Sequence, residues 1–217
     1  MNPAAPTPTP APHDLRSRVF PPLPLPSGPP RARPARVCIA SFDFVGPVKN
    51  GGVGTAFTSL GEALAAAGHE VTLLYLPGKW CENRTLDYWI EYYAKKHIRF
   101  VPMPDSGLPI ETTWHTAKAY EAYLWLQQHP FDVIHFSEWK GPGYFCLRAK
   151  HQDLAFANTL LCVHTHGPTL WHKLSNAEYV THPADLEADY LERRSARLAD
   201  VLVSPSQYLL RWMLQQE

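Results

Sequence analysis

Apolar residues in this chain fall into short continuous runs separated by segments of helical period. Val37-Cys38-Ile39-Ala40 is a run of the kind a buried strand needs, and residues 71–75 form a second. Between them lies a loop rich in Gly and Pro. An apolar-periodic stretch with Leu60, Leu64 and Ala67 follows it and closes at Gly68 as a helix C-cap. Strand, glycine loop, helix and strand make one βαβ unit. Four more strands are expected at residues 98–101, 131–136, 159–163 and 200–204, the first of them stopped by Pro102 and Pro104. Helices are expected at residues 86–96, 113–129, 144–151, 185–198 and 207–216, with Ser206 capping the last. Tyr88, Trp89, Tyr92 and Tyr93 read as a packing stripe, and Leu186, Tyr190 and Leu191 as the inward face of their helix.

Six strands alternating with helices predict an α/β fold: a Rossmann-like parallel sheet with helices on both faces. In such sheets the loops at the carboxyl ends of the strands line the ligand crevice. The glycine loop, Ser137-Glu138-Trp139 and His164-Thr165-His166 all fall at such ends.

The 217 residues divide into two parts. Residues 1–34, dominated by Pro and Ala without apolar period, read as a disordered tail, because they bury too little surface to offset chain entropy. Prolines interrupt their few apolar residues, so they do not read as a signal peptide. PPLPLP within them is either a polyproline II ligand or part of a flexible leader. Residues 35–217 read as one domain. Lysine plus arginine number 20, as do aspartate plus glutamate, so no basic footprint points to nucleic acid. No apolar run approaches the ~20 residues that span a bilayer. Cys38, Cys81, Cys146 and Cys162 are widely spaced and form no C-x-x-C, which fits reduced thiols and a cytoplasmic protein.

The glycine loop allows two readings. Gly51 and Gly52 sit between a strand end and a helix start, where unpaired amides and the helix dipole suit a phosphate. Alternatively they serve a turn that needs positive φ at one of them. The loop is neither a P-loop nor a G-x-G-x-x-G fingerprint. Lys49 either neutralises the phosphate or is solvated. Glu138 is either a general base or hydroxyl acceptor, or a solvated loop carboxylate. Trp139 is expected to pack the base of its loop. His164 and His166 are expected on opposite sides of their strand, with a single histidine hydrogen-bonding a polar ligand rather than an H-x-H metal pair.

Taken together these residues resemble the N-terminal domain of GT-B glycosyltransferases, family 4 and its starch and glycogen synthase cousins. PVKNGGVGT with the following GHEVTLL is similar to the synthases' Lys-x-Gly-Gly-Leu-Gly loop and the strand after it. FDVIHFSEWKG resembles their Asp-x-x-His-x-x-Asp-Trp segment, CVHTHGP their Thr-x-His-Gly strand, and ADVLVSPSQYL an Ala-Asp…Ser signature. The resemblance implies half of a GT-B fold in an enzyme that transfers a sugar from a nucleotide-sugar co-substrate, with retention and without a metal or cofactor. It implies that Gly51 and Gly52 approach the donor diphosphate, with Lys49 assisting, and that His166 lies near the donor sugar. Glu138 stands where the synthases carry Asp. The acceptor is a carbohydrate, a lipid or another small molecule. The donor-binding C-terminal domain is absent from these 217 residues, so the chain alone is expected to be inactive. The rival reading is a non-catalytic Rossmann-like module that binds a nucleotide sugar or a protein partner.

Overall fold

A computed structural model describes residues 33–215. Its elements run β1 (Arg36–Ser41), α1 (Gly52–Ala66), β2 (Glu70–Tyr75), α2 (Leu86–Ala94), β3 (Ile98–Pro102), α3 (Trp114–Gln128), β4 (Val133–Ser137), α4 (Tyr144–His151), β5 (Leu160–His164), α5 (Thr169–Ser175), α6 (Pro183–Leu198), β6 (Val201–Val203) and α7 (Gln207–Gln215). The six strands form one sheet in the order β3-β2-β1-β4-β5-β6, and every pairing is parallel. This is the doubly wound Rossmann order, whose crevice opens where the winding reverses, between β1 and β4.

The period of two along the strands sorts side chains into two cores. Cys38, Ala40, Leu74, Ile134, Phe136, Leu161 and Val163 face α3 and α4, whose Ala122, Leu126 and Leu147 pack on them. Ile39, Val71, Leu73, Tyr75 and Phe100 face α1 and α2, against Phe57 and Tyr93. Helices therefore cover both faces, and all four cysteines are free.

The C-terminus of α1 is a Schellman motif: Gly68, at φ +85°, donates to Ala65 O and His69 donates to Leu64 O. The cap itself is Ala67, one residue before the expected position. The buried stripe of α1 is Gly54, Phe57, Thr58 and Gly61, whereas Ala67 is exposed. Gly61 allows this close packing, since a Cβ there would stand 3.2 Å from Leu73. The inward face expected for α6 is corrected too. Leu186 and Tyr190 are 61% and 53% exposed, and Ala188, Leu191, Glu192 and Ser195 point inward. Helix α5 was not foreseen. Of the expected tail, residues 1–32 lie outside the described residues; Arg33 reaches Asp132 Oδ1 at 3.2 Å. No helix among the described residues is long and apolar enough to cross a membrane.

Candidate functional site

Three loops meet at the carboxyl ends of β1, β4 and β5. An open cleft of about 280 Å³ lies among them, lined by Asp43, Gly51 and Val53 from the first, Trp139 from the second, and His166 and Gly167 from the third. His172 of α5 completes the wall. Gly52 and Lys49 are exposed and do not line it.

In the β1–α1 loop, neither Gly51 nor Gly52 has positive φ; Gly51 is extended at φ −107°. The turn reading of these glycines is thereby corrected. The amide group of Gly51 is already engaged. Asp43 Oδ2 accepts from Gly51 N at 2.8 Å and from Gly54 N at 3.2 Å, so a side chain eight residues upstream caps α1. Burial pushes the Asp43 carboxyl up, and these two amides pull it down. Among the described residues, nothing accepts from the amides of Gly52 or Val53. Gly54 must lack a Cβ, because one would lie 2.4 Å from Asp43 Oδ1. Lys49 donates its backbone amide to Glu82 Oε2 at 2.8 Å and leaves its side chain exposed.

The β4–α4 and β5–α5 loops are held by two carboxylates with no exposure to solvent, Glu138 and Glu192. Glu138 Oε1 accepts from the amides of His166 and Gly167, both at 2.5 Å. The solvated-carboxylate reading of Glu138 is corrected: the residue stands behind the cleft wall. Glu192 reaches across from α6. Its Oε1 accepts from Lys140 N at 2.9 Å and Thr169 Oγ1 at 2.7 Å, and its Oε2 accepts from Thr169 N at 2.7 Å. It thereby fixes Lys140, held at a left-handed φ of +64°, and the first residue of α5. Burial pushes both carboxyls up to about 7, against the pull of the amides they hold.

His164 is the last residue of β5 and His166 lies two residues beyond it, and their rings stand on the same side, near-parallel with centroids 6.4 Å apart, not on the opposite sides expected. Both rings meet the edge of Phe57 of α1, each with centroids 5.2 Å away. His164 Nε2 lies 2.8 Å from His135 Nδ1 of β4. Burial lowers His135 to about 4, and burial with the neighbouring imidazoles lowers His164 to about 3, so both are neutral near pH 7. His166 is also lowered by burial, and its Nε2 has no partner among the described residues. Trp139 packs against the core through Phe42, as expected, while also lining the cleft. Among the described residues, no three His, Cys, Asp or Glu side chains converge as metal ligands.

Sequence reasoning missed Asp43, Glu192, His172 and the His135–His164 pair. A signal for Glu192 was present, since a glutamate on the stripe of Ala188, Leu191 and Ser195 is a charge on an inward face. Asp43 gave none, because capping residues are sought directly before a helix.

Comparison with known proteins bears on this geometry. The sequence model described as Glycosyltransferase Family 4 matches residues 50–216. Among solved structures, a sucrose-phosphate synthase from Thermosynechococcus elongatus aligns with a TM-score of 0.55 at 18% identity, over 82% of this chain and 45% of its own. The catalytic domain of starch synthase IV from Arabidopsis thaliana, bound to ADP and acarbose, aligns at 0.48 and 12% identity, over 78% and 44%. This chain thus spans less than half the length of either protein. No curated protein matches. The Rossmann-like sheet corresponds to one half of a GT-B fold. The family match takes in α1, both buried glutamates and the His166 loop, and the chain belongs to glycosyltransferase family 4.

Proposed function

We propose that this chain is the N-terminal, acceptor-side domain of a retaining, metal-independent glycosyltransferase of hexosyl type. It would act in the cytoplasm with a nucleotide sugar as co-substrate and no cofactor. One observation carries the reading: the start of α1, Trp139 and His166 converge on a single cleft at the β1–β4 switch point. The departing diphosphate gathers negative charge, and helix N-terminal amides stabilise charge where it develops. Asp43 already holds the amides of Gly51 and Gly54, which leaves those of Gly52 and Val53 for the diphosphate. Lys49, exposed on the same loop, adds a point charge. His166, whose side chain lines the cleft and is held neutral by burial, contacts the donor sugar. Glu138 acts through His166 as a positioning residue rather than as a base, because it has no exposure and does not line the cleft, while its Oε1 holds two loop amides. A second domain in cis grips the nucleotide.

The test is a transfer assay with ADP-, GDP- and UDP-sugars, on the chain alone and on the chain joined in cis to a family 4 donor-binding domain. No turnover is expected from the chain alone. The joined protein should turn over, retain anomeric configuration by NMR, and be insensitive to EDTA. An inverted product or loss of activity in EDTA would refute the mechanism. Nucleotide-sugar binding without transfer would favour the non-catalytic module.

A further inference from the structure

Trp114 is the first residue of α3 and is 55% exposed. Its indole lies 5.2 Å from the Phe42 ring, which lies 6.3 Å from the Trp139 indole in turn. Phe42 is buried, so two indoles flank one covered ring, and the inner one belongs to the cleft. The three rings run from the cleft, past the end of β1, to the start of α3.

The outer indole stands on an anchored turn. Glu187 of α6 gathers the hydroxyls of Thr112 (3.1 Å), Thr113 (3.0 Å) and Thr116 on its Oε1, fixing the first turn of α3 to a neighbouring helix. An exposed indole on a pinned turn loses little entropy when it binds, which is what makes tryptophan an effective anchor. Its surroundings narrow the ligand. The threonine hydroxyls are engaged by Glu187 and His115 is buried, but exposed Glu111 lies three residues before Trp114, and Lys140 Nζ lies 5.7 Å from the centre of the Trp139 ring. A lipid chain or an apolar peptide needs continuous apolar surface. Two separate indoles flanked by charged side chains suit instead a chain of rings, each with an apolar face and a polar rim.

We propose that Trp114 is an outer saccharide subsite, and that the acceptor is a carbohydrate of at least two sugar units. This rests on the cleft being the acceptor side of a glycosyltransferase. The sugar nearest the reacting centre lies at Trp139, and a further unit stacks on Trp114.

The experiment measures binding by the 217-residue chain itself, on an array of gluco-, galacto- and manno-configured mono- to tetrasaccharides, with UDP as a separate probe. Wild type, Trp114→Ala and Trp114→Phe are compared, together with their melting temperatures. The wild-type chain should bind a di- or longer saccharide more tightly than the matching monosaccharide. Trp114→Ala should weaken the longer ligand roughly tenfold and leave the monosaccharide and the melting temperature unchanged. Trp114→Phe should recover part of the loss. Equal binding by wild type and Trp114→Ala, absence of any bound saccharide, or a loss confined to UDP would overturn the proposal. Equal binding together with successful sugar transfer would sink this subsite and leave the proposed function standing. A Trp114-dependent length advantage without transfer would do the reverse.

Discussion

Glu138, at the end of β4, reaches the next strand-end loop and takes the amide hydrogen of His166 on its Oε1 at 2.5 Å. The same oxygen takes the amide of Gly167, at φ +125°. Glycine is required there, because L side chains rarely adopt that φ, and a Cβ would in addition displace the His172 ring, whose Nε2 would lie 2.7 Å away. One buried carboxylate thus sets the backbone on which the cleft histidine is carried.

Glu138→Ala strands those two amides. Each buried donor left without an acceptor costs about 1–3 kcal/mol, so the urea midpoint should fall and transfer activity should fall further than the midpoint predicts. Glu138→Asp, one methylene shorter, should restore stability in part. An alanine variant with an unchanged midpoint would show that the carboxylate does not hold the loop.

The pH dependence of stability carries two opposed contributions. Glu138 and Glu192 are raised by burial to about 7, so each binds more protons folded than unfolded above its ordinary value of 4.5. Their contribution is full below that value and is lost as pH rises through about 7. His135 and His164 are lowered to about 4 and about 3, so theirs is full above 6.5 and is lost as pH falls through those values. A difference measurement separates the two. Glu192→Gln removes one carboxyl, and its stability relative to wild type should rise by roughly 3 kcal/mol between pH 4.5 and pH 8. Urea unfolding at both pH values measures this, and a difference that does not change with pH contradicts it.

Gly52 and Gly54, two residues apart in α1, should behave oppositely. A Cβ at Gly52 meets nothing within 4 Å, so Gly52→Val should fold with an unchanged midpoint. If its amide faces the diphosphate, the complete enzyme should lose on the order of 100-fold in rate. Gly54→Ala drives a methyl against the Asp43 carboxylate and should cost about 1–3 kcal/mol in stability. Measuring kcat/KM beside the unfolding midpoint checks both. A folded Gly52→Val enzyme with normal activity eliminates the phosphate role.

The two histidines of the β5 loop should separate in the same way. His164→Ala leaves His135 Nδ1 without its partner and opens space beside Phe57, so it should mainly lower the unfolding midpoint. His166→Ala removes a side chain that lines the cleft and should mainly lower kcat. Equal losses in both parameters for both variants would remove the distinction.

The sequence by itself determined the elements, their parallel arrangement and the strand ends that carry the cleft. These are local properties: apolar runs give buried strands, helical period gives the covering helices, and the βαβ connection fixes parallel pairing. It also pointed to His166 and Trp139 as residues of one rim. Tertiary structure decided what the polar side chains do there. Asp43 caps a helix it does not adjoin, Glu138 is buried rather than solvated, and Glu192 ties Lys140 to Thr169 from a helix fifty residues downstream of that loop. A carboxylate's role depends on which amides come within hydrogen-bonding distance once solvent is excluded, and those amides belong to distant parts of the chain. No period or spacing in one sequence encodes that proximity.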